Sequence, residues 1–366
     1  MLQKIRKIIP NFIVNSFWHL PKAILANFYY GFPSKNLTII GITGTSGKTS
    51  TAHLTYHLLL KSDFKVALIS TISAKLGKKE IGIGLHVTNP DPFSLQKLLK
   101  NIYKKGFTHV ILEVTSHGLV QHRCWGIKFD YGLITNITHE HLDYHKTLAN
   151  YKKAKLKLLK MSKNKINFKD SKDFNIANQN AASSLAKAVG INQNMINKAI
   201  KTFKTIPGRM ETVYQKDFTI IIDFAHKPDA LEKALFMIRK NHKKGRIISV
   251  FGCAGLRDTL KRPMMGKIAS QLSDITILTA EDPRTETVKD INDQIKSGFI
   301  KKKINYLYRQ KDRQKAINLA VELAKPGDIV ALFGKSHEKS MCFGTIEHPW
   351  SEHQAVKTAL KLKSKN

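Results

Sequence analysis

Apolar residues fall along this chain in short β-branched runs, separated by longer stretches with helical spacing. The runs Leu37–Ile42, Val66–Ser70, His109–Val114 and Tyr131–Ile137 predict buried strands, with helical patterns between them, one from Thr49 to Leu60. Such alternation predicts a mostly parallel sheet covered on both faces. Residues 147–173 interrupt it: the stretch is lysine-rich, and Lys160–Asp173 reads as loop. A helix is expected from about Asn178 to Val189, and Thr205-Ile-Pro-Gly208 reads as a linker. A second alternation follows, with strands at Phe218–Phe224, Arg246–Gly252, Ile275–Ala280, Ile304–Tyr308 and Asp328–Gly334. Helices near 229–242, 261–272, 287–297, 311–325 and 351–363 separate them.

Composition changes this picture little. The 366 residues suffice for two or three domains, and 42% apolar content is that of a globular chain. Lys and Arg outnumber Asp and Glu by 61 to 27, giving a net charge of +34. The excess is mostly lysine spread along the whole chain and comes with no nucleic-acid-reading motif, so a nucleic-acid partner is not expected. Diffuse positive charge suits polyanionic nucleotides and acidic membrane surfaces. Three cysteines, Cys124, Cys253 and Cys342, have no metal-ligand spacing, and a reducing cytoplasmic setting is expected. The head, Met1–Gly31, is basic and apolar but too short and too interrupted to span a bilayer. A helix packed on the following domain is the first expectation for it. Peripheral contact with the inner membrane face, or with a protein, is the second.

The chemistry begins at Gly41-Ile-Thr-Gly-Thr-Ser-Gly-Lys-Thr-Ser50, between a predicted strand and a predicted helix. Gly44 and Gly47 let the backbone turn its N–H groups inward. Lys48 can reach terminal phosphates, and the Thr49 hydroxyl can hold Mg²⁺. The spacing is T-G-T-x-G-K-T; Ile42 stands where the commoner phosphate loop has glycine. Glu113 ends a strand and His141 follows another, so both fall at the carboxyl edge that the loop occupies. A glutamate is an ordinary Mg²⁺ ligand, whereas a histidine is an unusual one. In the second half, Gly208-Arg-Met-Glu211, Asp223-Phe-Ala-His226, Gly252–Arg262, Glu281–Glu286 and Gly334–Glu338 place five polar tips at the predicted carboxyl edge of one sheet.

In their order and number these motifs resemble the Mur ligase family, in particular its MurE type, from about Leu37 to Val356. They run through E-V-x-S-H-G-L-x-x-x-R, H-L-D-Y-H, Y-x-x-A-K, G-R-M-E, D-x-A-H-x-P-D, D-P-R-x-E and G-K-x-H-E. The resemblance implies an α/β protein in which a P-loop-type ATPase domain, residues 37–206, precedes a Rossmann-like domain, residues 207–366, that binds the amino acid. A basic amphipathic segment, residues 1–36, leads in, and the central domain is shortened near 156–175. It implies an ATP- and Mg²⁺-dependent acid–amino-acid ligase of peptidoglycan synthesis. Such an enzyme adds a diamino acid, expected to be meso-diaminopimelate, to UDP-N-acetylmuramoyl-L-Ala-D-Glu through an acyl phosphate.

By the same resemblance Lys48, Glu113, His141 and Lys155 are the catalytic set, and Thr49, Glu113, His141 and Lys155 the metal set, with Lys155 carbamylated. Read locally, Lys155 is only a surface lysine among neighbours of its kind. Gly44, Thr45, Gly47, Lys48, Thr49, Asn178 (with Asn175 as the alternative), Arg209, Asp223 and His226 would contact ATP. Thr88, Thr115 and Arg123 would hold the acceptor, and Asp282, Arg284, Gly334 and Glu338 the amino acid. The family carries about a hundred residues ahead of the ATPase domain to bind uridine; here 36 precede it, so weak hold on the uridine group is expected. Glu140, Glu281, Asp282, Ala254 and Ser336 replace the family's Asp, Asp, Asn, Gly and Gly. Two rival readings remain, a sister ligase such as folylpolyglutamate synthetase and a nucleotide-binding partner protein without ligase activity.

Overall fold

The computed structural model describes residues 11–364 except 73, 78, 82–87, 139 and 172, so the first ten residues of the N-terminal segment lie outside it. Contacts divide the chain into two units, Met1–Lys204 and Thr205–Asn366.

The first unit is built on seven strands: β1 Thr38–Thr43, β2 Val66–Ile69, β3 Ala74–Leu76, β4 Lys79–Ile81, β5 His109–Glu113, β6 Phe129–Ile134 and β7 Ser162–Lys165. They are ordered β4-β3-β2-β5-β1-β6-β7. From β2 to β7 every pairing is parallel, while β3 and β4 extend the sheet antiparallel. One apolar cluster packs Ile40, Ile42, Leu68 and Ile111 under the helices Lys48–Lys61 and Phe174–Ala188. Another packs Ile39, Ala67, Val110 and Leu112 on the opposite face, under the Pro92–Lys104 helix. Burial on both faces explains why these strands read as continuous apolar runs rather than as alternation.

The lysine-rich stretch departs from expectation. It opens with a helix, Leu148–Lys160, and the strand β7 lies within Lys160–Asp173, where loop was expected. The strand escaped because an edge strand has one unpaired side: Ser-Lys-Asn-Lys buries only its first residue, and edge lysines are what such a strand tolerates. The helix lies over β1 and β6 on a trough made by two glycines. Gly41 and Gly132 are register partners. A Cβ on Gly41 would fall 2.7 Å from Leu158 Cδ1, and one on Gly132 2.1 Å from Ser162 Oγ. The missing side chains therefore let the helix settle close to the sheet.

At the N-terminal end, an α-helical turn Asn11–Val14 and a π-helical turn Asn15–His19 lead into the Leu20–Tyr30 helix, which Gly31 stops at φ 74°. This helix packs on the Pro92–Lys104 helix. Its buried Asn27 donates to the Trp125 carbonyl at 2.7 Å. Among the described residues no helix is long and apolar enough to cross a membrane.

The second unit carries β8 Glu211–Gln215, β9 Thr219–Asp223, β10 Ile247–Phe251, β11 Ile275–Leu278, β12 Leu307–Arg309 and β13 Ile329–Phe333, ordered β12-β11-β10-β13-β9-β8. All are parallel but β8. A separate hairpin joins β14 Ser340–Phe343 to β15 Ile346–Pro349. The strand expected at Ile304–Tyr308 starts only at Leu307, because Lys301–Tyr306 is a 3₁₀ helix. Apolar clusters on both faces again bury the central strands completely.

Candidate functional site

In the first unit the carboxyl ends of β2, β5, β1 and β6 open along one edge, the position where parallel α/β sheets bind ligands. The end of β1 runs into Gly44–Gly47, and the Lys48–Lys61 helix starts at the next residue. Two positive-φ glycines shape this loop. Gly44, at φ 154°, presses so close to Thr135 that a Cβ would fall 1.8 Å from Thr135 Oγ1. Gly47, at φ 80°, leaves no room beside Asn178, whose Oδ1 would lie 2.4 Å from a Cβ. Asn136, past β6, grips the loop by accepting from the Ser46 N–H at 2.9 Å and donating to the Ser46 carbonyl at 3.1 Å.

The expected catalytic residues are placed as follows. Lys48 Nζ folds back to donate to the Gly44 and Thr45 carbonyls at 2.9 and 3.1 Å. Lys155 Nζ donates to the same Gly44 carbonyl at 2.7 Å, so the two lysines converge on one backbone oxygen. Lys155 is only 2% exposed, which corrects the local reading of it as a surface lysine. The Leu148–Lys160 helix turns Tyr151, Lys155 and Leu158 inward, at i, i+4 and i+7. Glu113, buried at the end of β5, accepts from Thr49 Oγ1 at 3.1 Å and from the Thr71 N–H at 3.0 Å. His141, at φ 53°, pairs with Glu140 at 3.0 Å. Among the described residues no group of three or more His, Cys, Asp or Glu is arranged to hold a metal ion. The oxygen donors available beside the loop are the Thr49 hydroxyl and the Glu113 carboxylate, a donor pair that fits Mg²⁺ sharing its shell with phosphate and water.

Three residues of this site were given no role from the sequence: Tyr151 stood only as the first letter of a motif, Glu140 only as a replacement for the family's Asp, and Asn89 not at all. The fully buried Tyr151 hydroxyl donates to Glu140 and meets Thr45 Oγ1, both at 3.1 Å. Burial first, and the Glu140 charge second, hold that phenol far above the ordinary tyrosine range. Glu140 thus ties the loop, through Tyr151, to His141. Asn89, 1% exposed, accepts from the Thr115 N–H and hydroxyl at 2.8 and 2.9 Å and donates to the Glu113 carbonyl at 2.8 Å. Its own carbonyl accepts from Arg123 at 2.6 Å. Asn89 thereby gathers Thr115 and Arg123 beside Glu113, while Thr88 meets Thr71 at 3.0 Å. The only signal was the Thr-Asn-Pro-Asp turn composition, too common to single it out.

The Asn178 side chain accepts from Thr51 at 3.3 Å, whereas the Asn175 backbone N–H donates to Asp173, so Asn178 is the one at the loop.

In the second unit Asp223 ends β9, and its carboxylate accepts from the Met210 and Ala225 N–H groups at 2.8 Å each. Burial raises its pKa, against the lowering pull of Arg209. The Arg209 guanidinium lies 4.7 Å over the Phe224 ring, which also meets the rings of His226 and His337. Lys335, fully buried after β13, donates to Asp282 at 2.8 Å and to Glu338 at 2.6 Å. Burial alone would lower its pKa; Glu338 and Asp282 outweigh that and hold it above the usual lysine value. Arg284, at φ 51°, donates to the Gly255 carbonyl at 2.7 Å. Gly334, at φ 99°, packs against Glu281, whose Oε2 would lie 2.7 Å from any Cβ there. That oxygen is buried with no hydrogen-bond partner among the described residues.

A glycine loop at the head of a helix, with a lysine and a threonine–glutamate pair behind it, defines a P-loop nucleotide-binding enzyme. The chain matches the family model for the Mur ligase middle domain over residues 42–224 and that for the Mur ligase, glutamate ligase domain over residues 208–336. It is 37% identical to the UDP-N-acetylmuramoyl-L-alanyl-D-glutamate–2,6-diaminopimelate ligase of Aquifex aeolicus, across 92% of this chain and 80% of that protein. A solved structure of a ligase of that name superposes with a TM-score of 0.56 at 26% identity, covering 90% of this chain and 79% of the other. E. coli FolC in complex with DHPP and ADP gives a TM-score of 0.69 at 15% identity over 94% and 93%, a likeness of fold alone. The chain belongs to the Mur ligase family and is an ATP-dependent carbon–nitrogen ligase.

Proposed function

We propose that this protein joins meso-diaminopimelate to the D-glutamyl carboxylate of UDP-N-acetylmuramoyl-L-Ala-D-Glu, with ATP as the activating substrate and Mg²⁺ as the metal. The observation that carries the reading is the convergence of Lys48 and Lys155 on the Gly44 carbonyl, beside the Thr49–Glu113 pair. ATP would supply a phosphoryl group to the carboxylate, and the amine would displace phosphate from the resulting acyl phosphate.

The chain's own residues position and neutralise. Lys48, freed from the loop carbonyls, would meet the terminal phosphates. Thr49, Glu113 and His141 would hold Mg²⁺. A carbamylated Lys155 would add an anionic oxygen there. The carbamate nitrogen keeps one N–H, enough for the bond to Gly44. Arg209, Asp223 and His226 would contact the nucleotide, Thr88, Thr115 and Arg123 the acceptor, and Asp282, Arg284, Gly334 and Glu338 the amino acid. We place this work in the cytoplasm, with part of residues 1–31 serving as a contact surface for a membrane or another protein.

The test is phosphate release with ATP, UDP-N-acetylmuramoyl-L-Ala-D-Glu and diaminopimelate all present. Release is expected only with the full set. Lys48→Ala should abolish it, because Lys155, the other lysine at the loop, would be an anion once carbamylated and could not neutralise the terminal phosphate. Arg284→Ala should raise the KM for diaminopimelate, at a cost of roughly 2–4 kcal/mol for a buried carboxylate left unpaired, and leave the KM for ATP alone. Phosphate release that ignores diaminopimelate, or an undiminished Lys48→Ala enzyme, would refute the proposal.

A further inference from the structure

The Leu20–Tyr30 helix is built inside out. Its buried side carries Ala23, Ala26 and Asn27, two small residues and an amide. Its outer side carries Leu25, Phe28 and Tyr29, exposed by 63%, 68% and 73%. The preceding turn adds Phe17 and Trp18, exposed by 79% and 69%. Spacing of i, i+3 and i+4 puts Leu25, Phe28 and Tyr29 on one stripe, at whose margin the Tyr29 ring meets Phe93 of the Pro92–Lys104 helix at 6.3 Å. A helix that needed only to pack on its own domain would place these residues inward. A contiguous bare apolar face marks an interaction surface.

The charge around the face is mostly positive, with Asp91 as its acidic exception. Lys35 lies 4.8 Å over the Phe32 ring and Lys100 5.8 Å over the Tyr30 ring, while Lys22 neutralises the nearby Asp91 at 3.6 Å. Lys4, Arg6 and Lys7 precede the helix in the sequence, and the first acidic residue of the chain is Asp63. A single helix offers a convex stripe with a tryptophan and a tyrosine among its bare residues. Such rings, apolar in body and polar at the tip, prefer the headgroup boundary of a bilayer. We propose that Phe17, Trp18, Leu25, Phe28 and Tyr29 seat the protein on an anionic lipid bilayer, with the helix lying in the plane of the surface. This surface is independent of the ligation chemistry, so failure of one reading leaves the other standing.

The test is flotation of the full chain with phosphatidylcholine vesicles, compared with vesicles that also contain phosphatidylglycerol. The protein should float with the second and much less with the first, and salt should weaken the association. Leu25→Ser/Phe28→Ser/Tyr29→Ser should weaken partitioning about a hundredfold, since each side chain loses its burial in lipid. Because those side chains are already in water, phosphate release by this variant should match the wild type. Lys35→Glu/Lys100→Glu should reduce binding to the anionic vesicles alone. Trp18 fluorescence should shift to the blue on vesicle binding, and Trp18→Phe should remove that shift. Wild-type protein that ignores both vesicles, or a triple variant that floats as well as the wild type, would overturn the proposal. Self-association dispersed by the triple variant, without any vesicle binding, would assign the face to a second copy and equally overturn it.

Discussion

Burial lifts the Glu281 carboxyl to a pKa of about 7, with Lys261 pulling it down and Glu338 pushing it up. In the unfolded chain the same group releases its proton near its ordinary value of 4.5. Between the two values the folded state keeps a proton that the unfolded state has lost, so stability falls as pH rises through that window. The penalty is complete above the upper value and amounts to roughly 3 kcal/mol. Glu281→Gln should therefore raise the unfolding temperature above pH 7 and lose that advantage below pH 4.5. A thermal-denaturation series across pH checks both ends, and a shift that does not depend on pH would show the carboxyl already ionised in the folded protein. Residue-scale chemistry was partly legible in the sequence. Lys48, Thr49 and Glu113 stand out because strand–glycine–helix context dictates where their side chains go. Tyr151, Glu140 and Asn89 did not, because their importance lies in partners 11 to more than 100 positions away, which no local pattern encodes.

The Leu148–Lys160 helix decides more than any other element. Its inner side brings Tyr151 to the loop and Lys155 to Gly44, and the Thr147 hydroxyl caps its first turn by accepting from the Asn150 N–H at 3.1 Å. Tyr151→Phe removes the buried hydroxyl that links Thr45 to Glu140, while Thr45 keeps Thr138 and Glu140 keeps His141, so a loss of about 1 kcal/mol is expected. Chemical denaturation measures it directly, without any ligand. Lys155→Ala should be nearly inactive, with partial return of activity in short-chain carboxylates if Lys155 is carbamylated; a variant indifferent to them would exclude that role. The strands of both parallel sheets were readable because both of their faces are buried. What hid the lysine-rich region was the same rule reversed: β7 and the outer side of this helix face water, and lysine serves both.

Over the whole molecule a net charge of +34 sets a field that draws nucleotide anions toward any site the chain presents. Raising ionic strength should therefore raise the KM for ATP several-fold while leaving kcat nearly unchanged, the screening length being about 10 Å at 0.1 M salt. A salt-independent KM would mean that short-range contacts alone govern capture. The two alternations and the break between them gave the α/β class, since parallel strands need a long crossover connection, which is usually a helix. The bare face of the Leu20–Tyr30 helix was only the second of two expectations, because its composition is equally that of a buried helix and only its rotation on the domain turns the aromatic rings outward. The trough at Gly41 and Gly132 bears on how this protein can change over generations. Neither residue belongs to the proposed catalytic set, yet a methyl group on Gly41 would press on Phe129 and on Leu158 of the helix that carries Lys155, and one on Gly132 on Ser162, which follows that helix in the chain. A survey of tolerated substitutions should find both positions restricted, so a lineage drifting away from glycine there would have to repack the support of Lys155 without altering any residue of that set.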